Sequence, residues 1–219
     1  METLSGAALK AIFKLKSYLI KFPDLNTYIL DLLDKLVVPV LSYDSEMWAY
    51  TNVDVLERIC LRFYKQVLGI KLQSQTIFVH GELGTRPIKN KLIVNMIRYW
   101  IKVVNMNDNK YVTMVYNMLL NDLQINENKM SWVSGIRNTL QSLGLNDAWI
   151  FQTVGNKTLF LELVWRRVDD QYIQKFYEDI NSSSRSKTYK LFANVKFQTY
   201  LDILTIPKYS HVKVEDVLS

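Results

Sequence analysis

Residues 87–106 read PIKNKLIVNMIRYWIKVVNM, and the reading of this stretch decides the fold class. Leu92, Met96, Tyr99/Trp100 and Val103 recur every three to four residues, the spacing that lines one face of an α-helix. Pro87 suits the first turn of such a helix, where its fixed φ is already helical and its missing N–H costs nothing. Lys91, Arg98 and Lys102 fall at i, i+7 and i+11, on one face opposite the apolar stripe. The stretch is therefore predicted as one long amphipathic helix with an apolar inside and a basic outside.

The same period extends in both directions. Ala8, Ile12, Leu15 and Leu19 form an apolar stripe, with Lys10, Lys14, Ser17 and Lys21 repeating its spacing on another face. Phe22-Pro23-Asp24 ends that helix, because proline disfavours helical backbone in the residue before it. A second helix is expected from Asn26 to Val37, and Pro39 kinks or stops it. A third runs from Val55 to Leu68, capped by Asp54 and closed by Gly69. Further helices are predicted at Tyr111–Asp122, Ser131–Leu143, Asn146–Thr153 (stopped by Gly155), Thr158–Ile180 and Ser183–Ala193. Two segments, Lys71–Val79 and Asn194–Tyr200, have the composition of extended chain, but no hairpin turn pairs them. The fold class is all-α, an irregular multi-helix bundle of about eight to ten helices. The polar segment Asn105–Lys110 suggests a division into domains at 1–106 and 107–219.

With 49% apolar and 22% charged residues over 219 positions, a disordered tail, a collagen-like fibre and a charged coiled coil are excluded. The most apolar run, Leu36–Leu41, is six residues and contains Pro39, far short of the roughly 20 that span a bilayer. The first residues carry lysines throughout and lack a secretory pattern, so an intracellular protein, nuclear or cytoplasmic, without a membrane partner is expected. One cysteine, Cys60, excludes an intramolecular disulfide and a cysteine-based zinc site.

Candidate chemistry is sparse. His80 and His211 are far apart and read as surface or satisfied histidines, so no metal site and no cofactor are expected. Phosphate-cradle, dinucleotide and nucleophile-elbow motifs do not occur. Gly81-Glu82-Leu83-Gly84 reads as a structural turn. Asp169-Asp170 resembles a two-metal carboxylate pair, but Tyr172, Ile173 and Phe176 continue a helical period past it, so it reads as a solvated helix face. The chain is not expected to be an enzyme or to bind a small molecule. Four of the five tryptophans sit in apolar-periodic segments and read as core, while Trp48 is the one expected to be partly exposed.

Charge is the positive signal. Between Arg58 and Asn107 lie nine basic residues and one acid, Glu82, a local excess of +8 against +6 for the whole chain. Arg58, Arg62 and Lys65, at i, i+4 and i+7, share a helix face, as do Lys91, Arg98 and Lys102. Ridges of this kind follow a phosphate backbone, gaining affinity by releasing its condensed counterions. A second acid-free stretch, Asn181–Leu201, holds Arg185, Lys187, Lys190 and Lys196.

The order of short blocks resembles one family. Ala8–Leu15, then Leu33–Leu41 with Tyr43-Asp44-Ser45-Glu46-Met47-Trp48, is similar to the stretch that follows the palm in reverse transcriptases of non-LTR (LINE-like) retrotransposons. Leu56-Glu57-Arg58, Phe63, Lys65, Leu68-Gly69-Ile70-Lys71, Gly81-Glu82-Leu83-Gly84 and Pro87 continue the similarity, as do Arg98-Tyr99-Trp100, Val154-Gly155-Asn156 and Phe197-Gln198. The resemblance covers nearly the whole chain. It implies the helical thumb and connector of such an enzyme, gripping RNA or an RNA–DNA hybrid by its backbone. It also implies that the catalytic palm would precede Met1 and that a Cys/His-rich motif would follow the region resembled. Asp44 stands where the family usually has glycine, Ala49 likewise, and His80 where it usually has tyrosine, which implies a copy under relaxed constraint. An inert or domesticated protein-interaction module is the alternative.

Overall fold

The computed structural model describes residues 2–21, 28–51, 53–107, 110–127, 129–183, 188–191, 193, 195, 196 and 198. Among them the structure is all-α, with no strand. The helices are α1 (Glu2–Lys21), α2 (Ile29–Leu36), α3 (Val38–Leu41), α4 (Ser45–Trp48), α5 (Asp54–Val67), α6 (Thr76–Leu83), α7 (Ile88–Val104), α8 (Tyr111–Ile125), α9 (Trp132–Ser142), α10 (Asn146–Ile150) and α11 (Lys157–Ser182), followed by a 3-10 turn at Tyr189–Leu191. The expected helix stop at Phe22-Pro23-Asp24, the cap at Asn26, and the residues after Gln198, with His211 among them, lie outside the described residues. The chain divides into two compact units, one of residues 1–43, 54–88 and 172–219, the other of residues 44–53 and 89–171.

In the first unit, α1 packs against α2, α3 and α5. Ala8, Ile12 and Leu15 of its predicted stripe are buried, the Leu19 side chain lies outside what is described, and Leu33, Leu41, Leu56 and Phe63 are also buried. Pro39 ends α2 and occupies the first turn of α3, where a missing N–H is tolerated. Gly69 closes α5 in left-handed backbone, φ 68°, a conformation glycine enters without steric penalty. Of Lys71–Val79, expected to be extended, residues 76–79 instead begin α6, which runs on through Gly81-Glu82-Leu83 of the expected turn. Val79 to Leu83 are all buried, five consecutive positions, so α6 shows no one-sided period that would mark it as helical. Gly81 is fixed by close approach: a Cβ there would sit 2.2 Å from the Tyr189 hydroxyl. Around it Phe176, Ile180 and Tyr189 form a core cluster joined by Ile77, Phe78 and Tyr172. Of the helix expected over Ser183–Ala193, residues 184–187 and 192 lie outside the described residues, and the described part holds the 3-10 turn.

In the second unit, α9 packs against α8 and α10. Ser131 opens α9 with a reciprocal capping box: its hydroxyl accepts the Ser134 N–H at 3.2 Å, and the Ser134 hydroxyl accepts the Ser131 N–H at 2.8 Å. The predicted inward face of α7 is buried at Leu92, Met96, Trp100 and Val103. The Trp100 indole N–H donates to the Tyr116 hydroxyl at 2.9 Å, which donates to the Gln152 side-chain carbonyl at 2.5 Å. Trp132 stacks edge-on with Tyr99 and Tyr116 and donates its N–H to the Glu46 carbonyl at 2.6 Å. These contacts differ from a boundary at residue 106: from Lys89 on, α7 shares its core with α8 and α9, and residues 44–53 join them. Gln152, at φ 49°, rather than Gly155, takes the left-handed position after α10. The tryptophans are less uniformly core than predicted. Trp100 and Trp132 are buried, Trp48 and Trp149 are half-buried, and Trp165 on α11 is 44% exposed.

Candidate nucleic-acid interface

The basic strip of α7 is what remains when the rest of the helix is buried. Leu92, Val94, Met96, Ile97, Trp100, Ile101 and Val103 occupy most of its circumference. Lys91, Arg98 and Lys102 are exposed, with Asn95 half-buried between them and Lys89 exposed just before. From Lys91 to Lys102 the strip rises eleven residue steps, about 16 Å at 1.5 Å per residue, the length of roughly five phosphates of one duplex strand. Asn95 orders its middle: its amide carbonyl accepts from the Arg98 guanidinium at 2.8 Å, and its N–H donates to the Ser45 hydroxyl at 3.2 Å. None of the three cations makes an ion pair among the described residues, so their charge is available to an external anion.

On α5, in the other unit, Arg58 and Arg62 are likewise exposed and unpaired among the described residues. Lys65 is not. Its side chain is buried, and its ammonium donates to the Leu72 carbonyl at 2.8 Å. Helical spacing places it on the arginine face, but after Gly69 the chain folds back across the last turn of α5, with the Ile70 N–H reaching the Lys65 carbonyl. Burial lowers the lysine's pKa from its ordinary value. The structure thus leaves two groups, Arg58/Arg62 and Lys91/Arg98/Lys102, one in each unit. Of the second basic stretch, Arg185 and Lys187 lie outside the described residues, and Lys190 donates to the Asn181 carbonyl at the end of α11. The Lys10, Lys14 and Lys21 face of α1 is exposed too, a third basic surface that apolar periodicity alone did not single out as a site.

Glu57 and His80, far apart in sequence, meet in a buried cluster that sequence reasoning missed. His80 is 3% exposed. Its Nε2 faces Glu57 Oε1 at 3.4 Å and its Nδ1 pairs with Thr85 Oγ1 at 3.0 Å. Tyr64 and Tyr172 meet the imidazole edge-on. The carboxylate–imidazole–hydroxyl order is that of a proton relay, but the other Glu57 oxygen accepts the Ile88 N–H at 2.9 Å. Glu57 therefore puts negative charge at the N-terminus of α7, a favourable place for it. The cluster is a clasp joining α5, α6 and the first residue of α7. No local sequence pattern signals it, because the fold alone brings the Glu57 and His80 segments together.

No family model, curated protein or solved structure matches the chain. Among the described residues no helix is long and apolar enough to cross a membrane, and no three His, Cys, Asp or Glu side chains are grouped to hold a metal ion. Asp169 and Asp170 lie mid-way along α11, in the helix their surroundings predicted.

Proposed function

We propose that this chain binds the phosphate backbone of nucleic acid, RNA or an RNA–DNA hybrid, without sequence selectivity, in the manner of the thumb and connector of a non-LTR reverse transcriptase, and performs no phosphoryl transfer itself. The observation that carries the reading is the α7 strip: Lys91, Arg98 and Lys102 exposed in one line, unpaired among the described residues, with Arg98 held by Asn95. Point charges in a row position a polyanion but carry no base information. The resemblance gains support from backbone geometry. Asp44, standing where the family has glycine, takes a left-handed φ of 50°, and Gly84 of the quoted block takes φ 62°. Both are positions where glycine is the default residue.

The test is fluorescence anisotropy with a labelled RNA–DNA hybrid. Arg62→Glu and Arg98→Glu are expected to weaken binding equally for unrelated sequences, and Asp169→Lys with Asp170→Lys to leave it intact or strengthen it. Equal affinity of the Glu variants and the parent would refute the reading. A protein-interaction module is the second reading, favoured by the apolar outer face of α8, where Tyr111, Met114, Val115 and Met118 are all exposed.

A further inference from the structure

A cleft of about 290 Å³ opens in the second unit between α8, α9 and the residues around α10. Its apolar wall is Leu120, Leu123, Trp149 and Ile150, and its polar groups are Gln124, Glu127, Arg137 and Gln152. Its volume lies at the lower edge of small-ligand sites, roughly 300–1,000 Å³, which suits one planar ring system. Gln152 is held there under backbone strain, at φ 49° for a non-glycine residue. Its carbonyl accepts the Tyr116 hydroxyl and its amide donates to the Trp149 carbonyl at 2.6 Å, which fixes the side chain in place. One N–H and one lone pair of that amide remain for a ligand. Gln124, exposed on α8, offers a second carboxamide. The Arg137 guanidinium spends one donor on the Glu127 carbonyl at 3.1 Å and keeps the others.

An aromatic ring, two carboxamides and an anchored guanidinium in so small a cleft match the chemistry of a nucleotide: a base with a π-face and hydrogen-bonding edges, attached to a phosphate. We propose that this cleft takes a single unstacked base of single-stranded RNA or DNA, with Trp149 against its face, Gln124 and Gln152 on its edge, and Arg137 at the adjoining phosphate. The inference rests on the backbone-binding reading and adds a base site to it.

The probe is a short single-stranded oligonucleotide carrying one 2-aminopurine, whose emission falls when the base stacks. The parent is expected to bind it and quench it. Trp149→Leu should lose the quenching and bind roughly 5- to 150-fold more weakly, the range that corresponds to one base–aromatic stack, with its salt dependence unchanged. Gln124→Ala, at an exposed position, should keep the helical spectrum of the parent and also weaken binding. Salt-dependent binding without quenching, or a Trp149→Leu variant that quenches like the parent, would overturn the base site and leave the backbone reading standing. The same result is expected if the cleft instead seats an apolar side chain of a protein partner. Failure to bind any oligonucleotide would overturn both.

Discussion

Replacing Trp100 tests how the second unit is held together. The indole is fully buried, and its N–H feeds a chain of hydrogen bonds through Tyr116 to Gln152. Trp100→Ala removes the ring and leaves a cavity walled by residues that cannot all collapse into it, at a cost of about 3–5 kcal/mol. Trp100→Phe keeps an aromatic ring but removes the donor. The Tyr116 hydroxyl still donates to Gln152, so the hydrogen-bond loss is only about 0.5–1.5 kcal/mol. The alanine variant should therefore be the weaker by a clear margin. With a urea slope of about 2 kcal/mol per molar, its far-ultraviolet circular dichroism midpoint should fall by roughly 2 M, and that of the phenylalanine variant by well under 1 M. A change in the alanine variant below about 0.5 M would place Trp100 outside the core and undo the assignment of α7 to the second unit's interior.

Other outcomes follow from single positions. Gly81→Ala should destabilise by about 1–3 kcal/mol, because the new methyl meets the Tyr189 hydroxyl; the cost should shrink in a Tyr189→Phe background, and a stabilising Gly81→Ala would refute the close approach. Asp44→Gly should exceed Asp44→Val in stability by about 1–2 kcal/mol, read by thermal melting, since valine resists left-handed backbone. Burial pushes the Cys60 thiol up to about 12, whereas an unfolded thiol titrates near 8.5. Between those values the unfolded chain has lost a proton that the folded chain keeps, so stability should fall with rising pH by up to about 1.4 kcal/mol per unit from this group. Stability flat from pH 9 to 11 in the parent, with the same profile in Cys60→Ala, would contradict it.

What the sequence reveals and conceals follows from periodicity. α7 is legible because one side is apolar and the other charged; its inner residues are buried and its cations exposed as their spacing requires. α6 is illegible because it is buried on all sides, and Thr76-Ile77-Phe78-Val79 has the β-branched and aromatic composition of a strand. Lys65 shows the limit of helical spacing for a site: its angle on α5 is that of Arg58 and Arg62, yet the chain after Gly69 covers it. The Glu57–His80 clasp and the Gln152 cleft depend on contacts between distant segments, which no local pattern encodes. Trp165 faces outward although its segment is periodic, because an apolar residue in such a segment need not face inward; a folded surface is largely apolar in any case.

The salt dependence of binding to an RNA–DNA hybrid tests the central claim most directly. Five exposed cations, Arg58, Arg62, Lys91, Arg98 and Lys102, remain once Lys65 is set aside. At about −0.9 per phosphate neutralised, the parent should show a log–log slope of roughly −4.5, and the triple variant Lys91→Gln, Arg98→Gln, Lys102→Gln roughly −1.8. Between about 50 and 200 mM salt these slopes correspond to losses of roughly 500-fold and 12-fold. A parent slope near zero, or a triple variant with the slope of the parent, would contradict the account.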